Sequence, residues 1–147
     1  VSGRMEIVSE EPFVIGDFAH TPDGMKEVLQ SFAHKDIICV FGAGGDRDHD
    51  KRPLMGQVAA SYSKHIIVTS DNPRFEDPSQ IISDIVPGIT TSYEVEVDRK
   101  STIIKAMANL NNEVLLIVGK GHEAYLDIKG VKYPYSDIET VQEYIND

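Results

Sequence analysis

Short, mainly apolar runs alternate with stretches of helical periodicity along this 147-residue chain, and this alternation restricts its fold more than any other feature. Between the runs, apolar residues recur at spacings of three and four, as in Met25, Val28, Leu29 and Phe32, which indicates amphipathic helices. Continuous apolar runs are typical of parallel strands that are covered on both faces. The sequence therefore predicts a Rossmann-like three-layer α/β domain, with a mainly parallel sheet and helices on both faces. The four runs are FVIGD (13–17), DIICVFG (36–42), HIIVTS (65–70) and EVLLIVG (113–119).

The last part of the chain predicts a C-terminal β-hairpin and a final helix. The segment AYLDIKGVKYPYS (124–136) fits a hairpin that turns at Lys129 and Gly130. No repeat or interior linker interrupts the pattern, so residues 1–147 are predicted to form a single domain. Helix starts are predicted from N-cap and first-turn residues at Thr21-Pro22, Asp77-Pro78, Asp98 and the Ser136/Glu139 capping box.

The charge balance limits the possible partners. The chain carries 14 Lys and Arg against 24 Asp and Glu, a formal net charge of −10, which argues against general binding to nucleic acid or to anionic membranes. No stretch approaches the roughly 18 apolar residues of a membrane span, and the first residues lack the layout of a signal peptide. The single cysteine, Cys39, lies in an apolar run and is interpreted as a buried, inert thiol.

Polar residues cluster directly after each of the four predicted parallel strands. In such sheets, ligands bind outside the carboxyl ends of the strands. The clusters contain Arg47, Lys51, Arg52, Arg74 and Lys120, a good share of the cations, together with acids and glycines. We therefore expect them to meet at one edge of the sheet and to bind a ligand that carries both charge signs, with Arg47 and Arg74 open to solvent. The clusters are DFAHTP (17–22), GAGGDRDHDKR (42–52), SDNPR (70–74) and GKGHE (119–123).

Familiar binding motifs do not account for these clusters. GAGGDRD departs from the dinucleotide-binding fingerprint because Arg47 occupies the third glycine position. Its glycines fit either a tight strand-to-helix turn or close approach of the backbone to a ligand. GKGHE lacks the spacing of a phosphate loop, and His20, His49 and His122 lack the short spacing of metal ligands. The residues alone indicate an α/β domain for a charged ligand and leave the reaction open.

Five motifs, taken together and in order, resemble the C-terminal domain of the Mur ligases. The resemblance extends from Gly3 to the last helix and is nearest to the members that add meso-diaminopimelate. It implies a two-step reaction, in which ATP phosphorylates the D-glutamate γ-carboxylate of UDP-MurNAc-L-Ala-D-Glu and the amine of the incoming amino acid attacks the acyl phosphate. The motifs are GRME, DFAHTPDGM, FGAGGDRDHDKRPLMG, SDNPRFEDP and GKGHEAY.

The resemblance covers only one of the family's three domains. The N-terminal domain for the UDP substrate and the central ATPase domain have no counterpart in this sequence, so ATP and Mg²⁺ are expected to be bound mainly by those missing domains. The chain alone is expected to be inactive, with no catalytic or metal-binding residue of its own. The implied partners are the other two domains and the small-molecule substrates, with no nucleic acid and no membrane, and the implied location is cytoplasmic.

The resemblance also assigns site residues. Arg74 is expected to bind the distal carboxylate of diaminopimelate with help from Asn72, while Glu123 and the Gly119 carbonyl accept ammonium hydrogens and Arg47 binds the other carboxylate. The full set of implied diaminopimelate contacts is Arg47, Asp71, Asn72, Pro73, Arg74, Gly119 and Glu123.

Three further residues are implied to approach ATP when the domains close: Arg4, Asp17 and His20. Phe18 stands where the family often has tyrosine. Structural roles remain open for two of the candidates, since Asp17 can bond its own turn and Arg74 can form a surface ion pair with Glu76 or Asp77.

Other functions remain open. A ligase that adds lysine is disfavoured because lysine has no distal carboxylate for Arg74. A folate-polyglutamate ligase would share the domain type without needing the SDNPR loop. The chain could also be a free-standing module that binds an amino acid or a nucleotide, or a dinucleotide-binding Rossmann domain, which the broken glycine pattern disfavours.

Overall fold

The computed structural model describes residues 5–146, which form eight strands and five α-helices. The strands are β1 (Glu6–Glu10), β2 (Phe13–Asp17), β3 (Ile37–Phe41), β4 (His65–Val68), β5 (Tyr93–Val95), β6 (Val114–Val118), β7 (Tyr125–Ile128) and β8 (Val131–Pro134). The helices are α1 (Pro22–Ser31), α2 (Arg52–Tyr62), α3 (Pro78–Ile85), α4 (Arg99–Ala108) and α5 (Asp137–Asn146). Two short 3₁₀ turns, His49–Lys51 and Val86–Gly88, precede α2 and follow α3.

The main sheet has six strands in the order β1-β2-β6-β3-β4-β5. Strands β2, β6, β3, β4 and β5 are parallel, whereas β1 is an antiparallel edge strand paired with β2. The central strand, β6, is buried along its whole length, and its Leu116 pairs with Ile15 on one side and Cys39 on the other. This arrangement confirms the predicted α/β class with a mainly parallel sheet.

Helices cover both faces of the sheet and give three layers. On one face, α1, α2 and α3 pack through residues such as Met25, Ala59 and Ile82. On the other face, α4 and α5 pack through residues such as Ile103 and Val141. Neighbouring strand residues point to opposite faces, which is why the strands covered on both faces, such as β3 and β6, are apolar along their length, whereas the edge strand β5 is not.

Strand β1 was not predicted. Its sequence, EIVSE, is only partly buried, because an edge strand on the rim of the sheet packs on fewer neighbours. The C-terminal hairpin was predicted correctly, with Lys129 and Gly130 both at positive φ between β7 and β8. No helix within residues 5–146 has the length and apolar character needed to cross a membrane.

The predicted N-cap residues are confirmed, but only the Ser136 half of the predicted Ser136/Glu139 capping box is formed among residues 5–146. Each cap side chain accepts a hydrogen bond from a backbone N–H of the first turn, which satisfies a donor that the helix itself leaves unpaired. The caps are Thr21 (to Gly24), Asp77 (to Ser79), Asp98 (to Ser101) and Ser136 (to Glu139).

Candidate functional site

A cavity of about 440 Å³ lies at the carboxyl ends of the parallel strands. Residues from the loops after β2, β3, β4 and β6 all line it, so the prediction that the four polar clusters meet at one edge is confirmed. Tyr125 of the hairpin completes the wall. Pro73 and Asp17 are not among the residues that line this cavity. The predicted residues that do line it are His20, Arg47, Asp71, Asn72, Arg74, Gly119 and Glu123.

The glycine-rich loop after β3 packs directly against the loop after β4. The Gly45 N–H donates to the Asn72 carbonyl oxygen at 2.9 Å. A Cβ atom at Gly45 would lie 1.7 Å from the Pro73 carbonyl oxygen, and one at Gly42 would lie 2.3 Å from the Thr69 carbonyl oxygen. Gly42 and Gly45 are therefore explained by contact between two loop backbones, whereas Gly44 faces the Arg74 side chain and lines the cavity. Pro73 belongs to this buried contact.

Arg74 is held by its own backbone as well as by its side chain. Its φ angle is +53°. Its backbone N–H donates to the Asp127 carbonyl oxygen (2.9 Å), and its carbonyl oxygen accepts from the Lys129 N–H (2.7 Å), so it pairs with the hairpin. Its Nη1 atom donates to the carbonyl oxygens of Gly45 (3.1 Å) and Asn72 (3.3 Å). Within residues 5–146, no hydrogen bond uses its Nε or Nη2, and this edge of a guanidinium can donate two parallel bonds to a carboxylate.

The two arginines differ in exposure. Arg47 is exposed, as predicted, and it too lines the cavity. Arg74 is only half-buried in the cavity wall, so the expectation that it would be open to solvent is partly wrong. Arg74 forms no ion pair with Glu76 or Asp77 among residues 5–146, and the Glu76 carboxylate bonds to Arg52 instead.

Arg52 was counted among the cations available to a ligand, and the structure corrects this. Its side chain is buried and donates to Glu76 (2.7 Å), Asp84 (2.9 Å) and the Gly44 carbonyl oxygen (3.0 Å). The hydrogen bonds from Arg52 lower the pKa of Glu76 to about 2. Arg52 therefore fixes the glycine-rich loop, although it also lines part of the cavity.

A buried lysine organises the acidic side of the cavity. Lys120 is fully buried, and its Nζ donates to Asn72 Oδ1 (3.0 Å), Glu123 Oε1 (2.8 Å) and the Tyr125 carbonyl oxygen (2.7 Å). Asp71 Oδ1 lies 3.0 Å from the same nitrogen. Burial alone would raise the pKa of Glu123, but the hydrogen bonds from Lys120 and Asn72 outweigh it and lower that pKa below its ordinary value. Glu123 is therefore ionised at neutral pH.

A buried ion pair, Arg99–Asp137, holds the loops that follow β4 and β6. Arg99 donates two bonds of 2.8 Å to Asp137, which joins the start of α4 to the start of α5. The same guanidinium donates to the carbonyl oxygens of Ser70 and Val118, each at 3.2 Å, just before the site residues Asp71 and Gly119. Burial opposes the charge of Arg99, yet Asp137 holds the pKa of the guanidinium above its ordinary value. The pair therefore fixes the strand ends from which the site is built.

Of the residues predicted to approach ATP, Asp17 lies beside the main cavity and His20 lines it. The Asp17 carboxylate accepts bonds from the backbone N–H groups of Met5 (2.6 Å) and Ala19 (2.7 Å) and is 3% exposed, which supports its structural role. His20 is exposed and lines both the main cavity and an adjacent one of about 340 Å³. Arg4 lies outside the described residues.

The histidines do not form a metal site. Within residues 5–146, no three His, Cys, Asp or Glu side chains are grouped so that they could hold a metal ion. His49 lies 3.2 Å from Glu76, and His122 lies 2.9 Å from Glu6.

Two supporting residues were missed by sequence reasoning. Lys120 was counted among the strand-end cations available to a ligand and weighed as part of a phosphate loop, but its burial and its supporting role were not predicted. Arg99 was not singled out. The one signal for Lys120 was its position between two glycines directly after the most buried strand. Arg99 gave no signal, because its partner is 38 residues away.

Comparisons with known proteins agree with this geometry. The family described as "Mur ligase, glutamate ligase domain" matches residues 3–121. The UDP-N-acetylmuramoyl-L-alanyl-D-glutamate--2,6-diaminopimelate ligase of Wolinella succinogenes is 54% identical over 144 residues, which cover 96% of this chain and 33% of that protein. The enzyme of the same name from Helicobacter pylori is 51% identical over 147 residues, 98% of this chain and 33% of that protein.

Solved structures show the same relationship. A structure of a UDP-N-acetylmuramoyl-L-alanyl-D-glutamate--2,6-diaminopimelate ligase matches with a TM-score of 0.92 and 37% identity, covering 99% of this chain and 32% of that one. A bifunctional folylpolyglutamate synthase/dihydrofolate synthase from Yersinia pestis, complexed with AMPPNP and a Mn ion, shares the fold alone. Its TM-score is 0.64 at 16% identity, covering 100% of this chain and 32% of that one.

The chain spans about a third of the length of the curated relatives that it matches. The family match covers most of the chain, and the relatives agree with it along nearly all of the remainder. From its sequence, its fold and the arrangement of its strand-end loops, this chain belongs to the Mur ligase family, as the C-terminal domain of such a ligase.

Proposed function

We propose that this chain binds the incoming amino acid in an ATP-dependent ligase that adds meso-diaminopimelate to UDP-MurNAc-L-Ala-D-Glu through an acyl phosphate. The observation that carries the proposal is that one cavity contains both an arginine edge without hydrogen-bond partners among residues 5–146 and a pair of acidic side chains. Arg74 supplies the first, and Asp71 and Glu123 supply the second. Diaminopimelate, which the similar ligases carry in their names, has a carboxylate and an ammonium at each end.

The distal end of diaminopimelate fits the buried side of the cavity. The Nε and Nη2 atoms of Arg74 bind the distal carboxylate as a bidentate pair. The distal ammonium donates to Glu123, to Asp71 and to the Gly119 carbonyl oxygen. Asn72 contributes through one remaining amide hydrogen, because its Oδ1 accepts from two donors and its Nδ2 already donates to Glu123.

The reacting end of the amino acid lies toward the exposed side. Arg47, which is exposed at the cavity, binds the second carboxylate, and the second amino group is then available to attack the acyl phosphate. Binding both ends orients the amine, which converts an encounter in solution into a positioned reaction.

Discrimination against lysine follows from the same contacts. Lysine has a hydrogen where diaminopimelate has its distal carboxylate, so it would leave the Arg74 edge without a partner in the closed site. A site built to bond a polar group rejects an analogue that lacks it, because its own buried groups are then left unpaired.

ATP, Mg²⁺ and the UDP-linked substrate are bound mainly by the other domains of the complete protein in this proposal. The length of the relatives, about three times that of this chain, supports the existence of those domains. The described residues do not supply a ligand set for Mg²⁺, so no step is assigned to a metal held by this chain. Arg4, Asp17 and His20 remain proposed contacts to ATP on domain closure, with His20 the exposed one. ATP and a UDP-linked substrate place the proposed reaction in the cytoplasm.

The proposal is tested by the amino-acid preference of the complete ligase. Its kcat/KM for meso-diaminopimelate should exceed that for L-lysine by about tenfold or more, since an unpaired charged group costs about 1.5–3 kcal/mol and 1.4 kcal/mol is a factor of ten. The 147-residue chain alone should neither hydrolyse ATP nor form the amide. Equal or reversed preference would refute the assignment of the amino acid, and turnover by the pure chain would refute its role as one domain of the ligase.

A further inference from the structure

We propose that Lys120 is the positioning residue of this site, holding Asp71, Asn72 and Glu123 so that their cluster keeps one net negative charge for the ammonium of the bound amino acid. This inference rests on the proposed function and adds a residue that does not itself line the cavity. Its three partners do line it. Lys120 therefore acts on the ligand only through them.

The hydrogen-bond count shows that the ammonium of Lys120 is fully used. An ammonium has three hydrogens, and these go to Asn72 Oδ1, Glu123 Oε1 and the Tyr125 carbonyl oxygen. The 3.0 Å contact to Asp71 Oδ1 is therefore ionic without a hydrogen bond. Asp71 Oδ1 is correspondingly a buried oxygen that accepts no hydrogen bond from residues 5–146.

Because Asp71 Oδ1 is buried and accepts no hydrogen bond, we infer that its donor comes from outside the described residues. Asp71 Oδ1 belongs to a residue that lines the cavity, so a ligand ammonium can supply the missing hydrogen. Leaving a buried acceptor unsatisfied is costly, and the ligand removes that cost. The ligand thus completes the hydrogen bonding of the cluster.

The charge count leads to the same ligand group. Asp71 and Glu123 contribute two negative charges and Lys120 one positive charge, which leaves one negative charge in a buried cluster. A single ammonium neutralises it. Lys120 Nζ lies within 3.0 Å of both carboxylates and is the cation that they share.

Lys120 also fixes which way the Asn72 amide points. Its Nζ donates to Asn72 Oδ1, and the backbone N–H of Asp127 donates to the same oxygen at 2.9 Å. The amide nitrogen is thereby turned toward Glu123 Oε1, at 2.7 Å. One buried cation thus sets the orientation of both an amide and a carboxylate that face the ligand.

The test compares Lys120→Ala with Lys132→Ala in the complete ligase. Lys132 is a matched control, because its ammonium also lies over the Tyr125 ring, at 4.6 Å from the centroid, but it is exposed. Lys120→Ala should raise the KM for meso-diaminopimelate by about tenfold to a hundredfold and leave the KM for ATP within about twofold. Lys132→Ala should change neither. Added ethylammonium chloride should lower the raised KM again, whereas sodium chloride at the same concentration should not.

An unchanged KM for diaminopimelate in a folded Lys120→Ala enzyme would overturn the inference. So would equal increases in the KM for diaminopimelate and ATP, which would indicate only a loss of structure. If the unaltered ligase prefers another amino acid, the proposed function is wrong, and the same comparison is made with that amino acid.

A measurement on the unaltered ligase covers the case in which Lys120→Ala does not fold. With ¹⁵N-labelled lysine, one side-chain ammonium signal should be protected from hydrogen exchange, because the Lys120 hydrogens are buried and bonded. Adding diaminopimelate should shift that signal. The inference would be overturned if no lysine ammonium signal is protected, or if the chemical shift of the protected signal does not change when diaminopimelate is added.

Discussion

Replacing Gly45 by alanine should separate the two loops that form the cavity. The added Cβ would lie 1.7 Å from the Pro73 carbonyl oxygen, which is far inside any allowed contact and is backbone, so it cannot rotate away. Moving the loops apart breaks the bond from Gly45 N–H to the Asn72 carbonyl oxygen and the bond from Arg74 to the Gly45 carbonyl oxygen.

The expected loss of stability follows from those two bonds. A neutral hydrogen bond contributes about 0.5–1.5 kcal/mol and one to a charged group about 1.5–3 kcal/mol. Alanine also reduces the conformational entropy of the unfolded chain, which raises the free energy of unfolding by about 0.4–1 kcal/mol. The net loss in the free energy of unfolding is therefore about 1–4 kcal/mol. At about 3 °C per kcal/mol for a domain of this size, the Tm of the 147-residue chain should fall by about 3–12 °C.

Gly44→Ala is the matched comparison. Its Cβ would lie 2.8 Å from Arg74 Nη1, the end of a flexible side chain. The chain should keep its stability to within about 1 kcal/mol, but Arg74 must move, so the KM of the complete ligase for diaminopimelate should rise. Thermal unfolding of both variants and the KM of both ligases check these outcomes. Equal Tm values for the two variants would refute the inference that the loop backbones require Gly45.

Two further predictions concern the buried ion pairs. Asp137→Asn leaves Arg99 buried without its counter-charge and should cost about 3–5 kcal/mol, measured by urea unfolding, and a loss below 1 kcal/mol would contradict the role given to this pair. Because Arg52 lowers the pKa of Glu76 from 4.5 to about 2, Glu76 stabilises the fold fully above pH 4.5, and this contribution is lost as the pH falls toward 2. Glu76→Gln should therefore weaken the dependence of Tm on pH in that window, and an unchanged dependence would contradict the pairing.

The order of strands and helices could be predicted because it depends on local patterns. Apolar runs, helical spacing and cap residues such as Thr21 and Asp98 are legible in the sequence, and the rule for parallel sheets then places four loops on one edge. Strand β1 was not predicted because its sequence, EIVSE, has no continuous apolar run. Its position depends on pairing with β2, which is a tertiary feature.

The interior of the site could not be predicted in the same way. The motif resemblance assigned seven of the residues that line the cavity, together with Pro73 and Asp17, which do not line it. Lys120, Arg99 and Arg52, in contrast, are charged residues that the fold buries. Charged residues are rarely buried unless they are paired, and their partners lie 24 to 48 residues away in several of the bonds. Single-sequence patterns do not report such partners. The close contact between Gly45 and Pro73 is hidden for the same reason.

The most direct test of the central claim is the amino-acid selectivity of Arg74→Ala beside that of Arg47→Ala, measured as kcat/KM of the complete ligase. Both variants remove one guanidinium from the cavity. Arg74→Ala should lower kcat/KM for meso-diaminopimelate by about tenfold to a hundredfold or more and affect lysine far less, because lysine has no distal carboxylate. Arg47→Ala should lower both alike, because both substrates carry the carboxylate that it binds. Equal losses for the two amino acids in Arg74→Ala would contradict the assignment of Arg74 to the distal carboxylate.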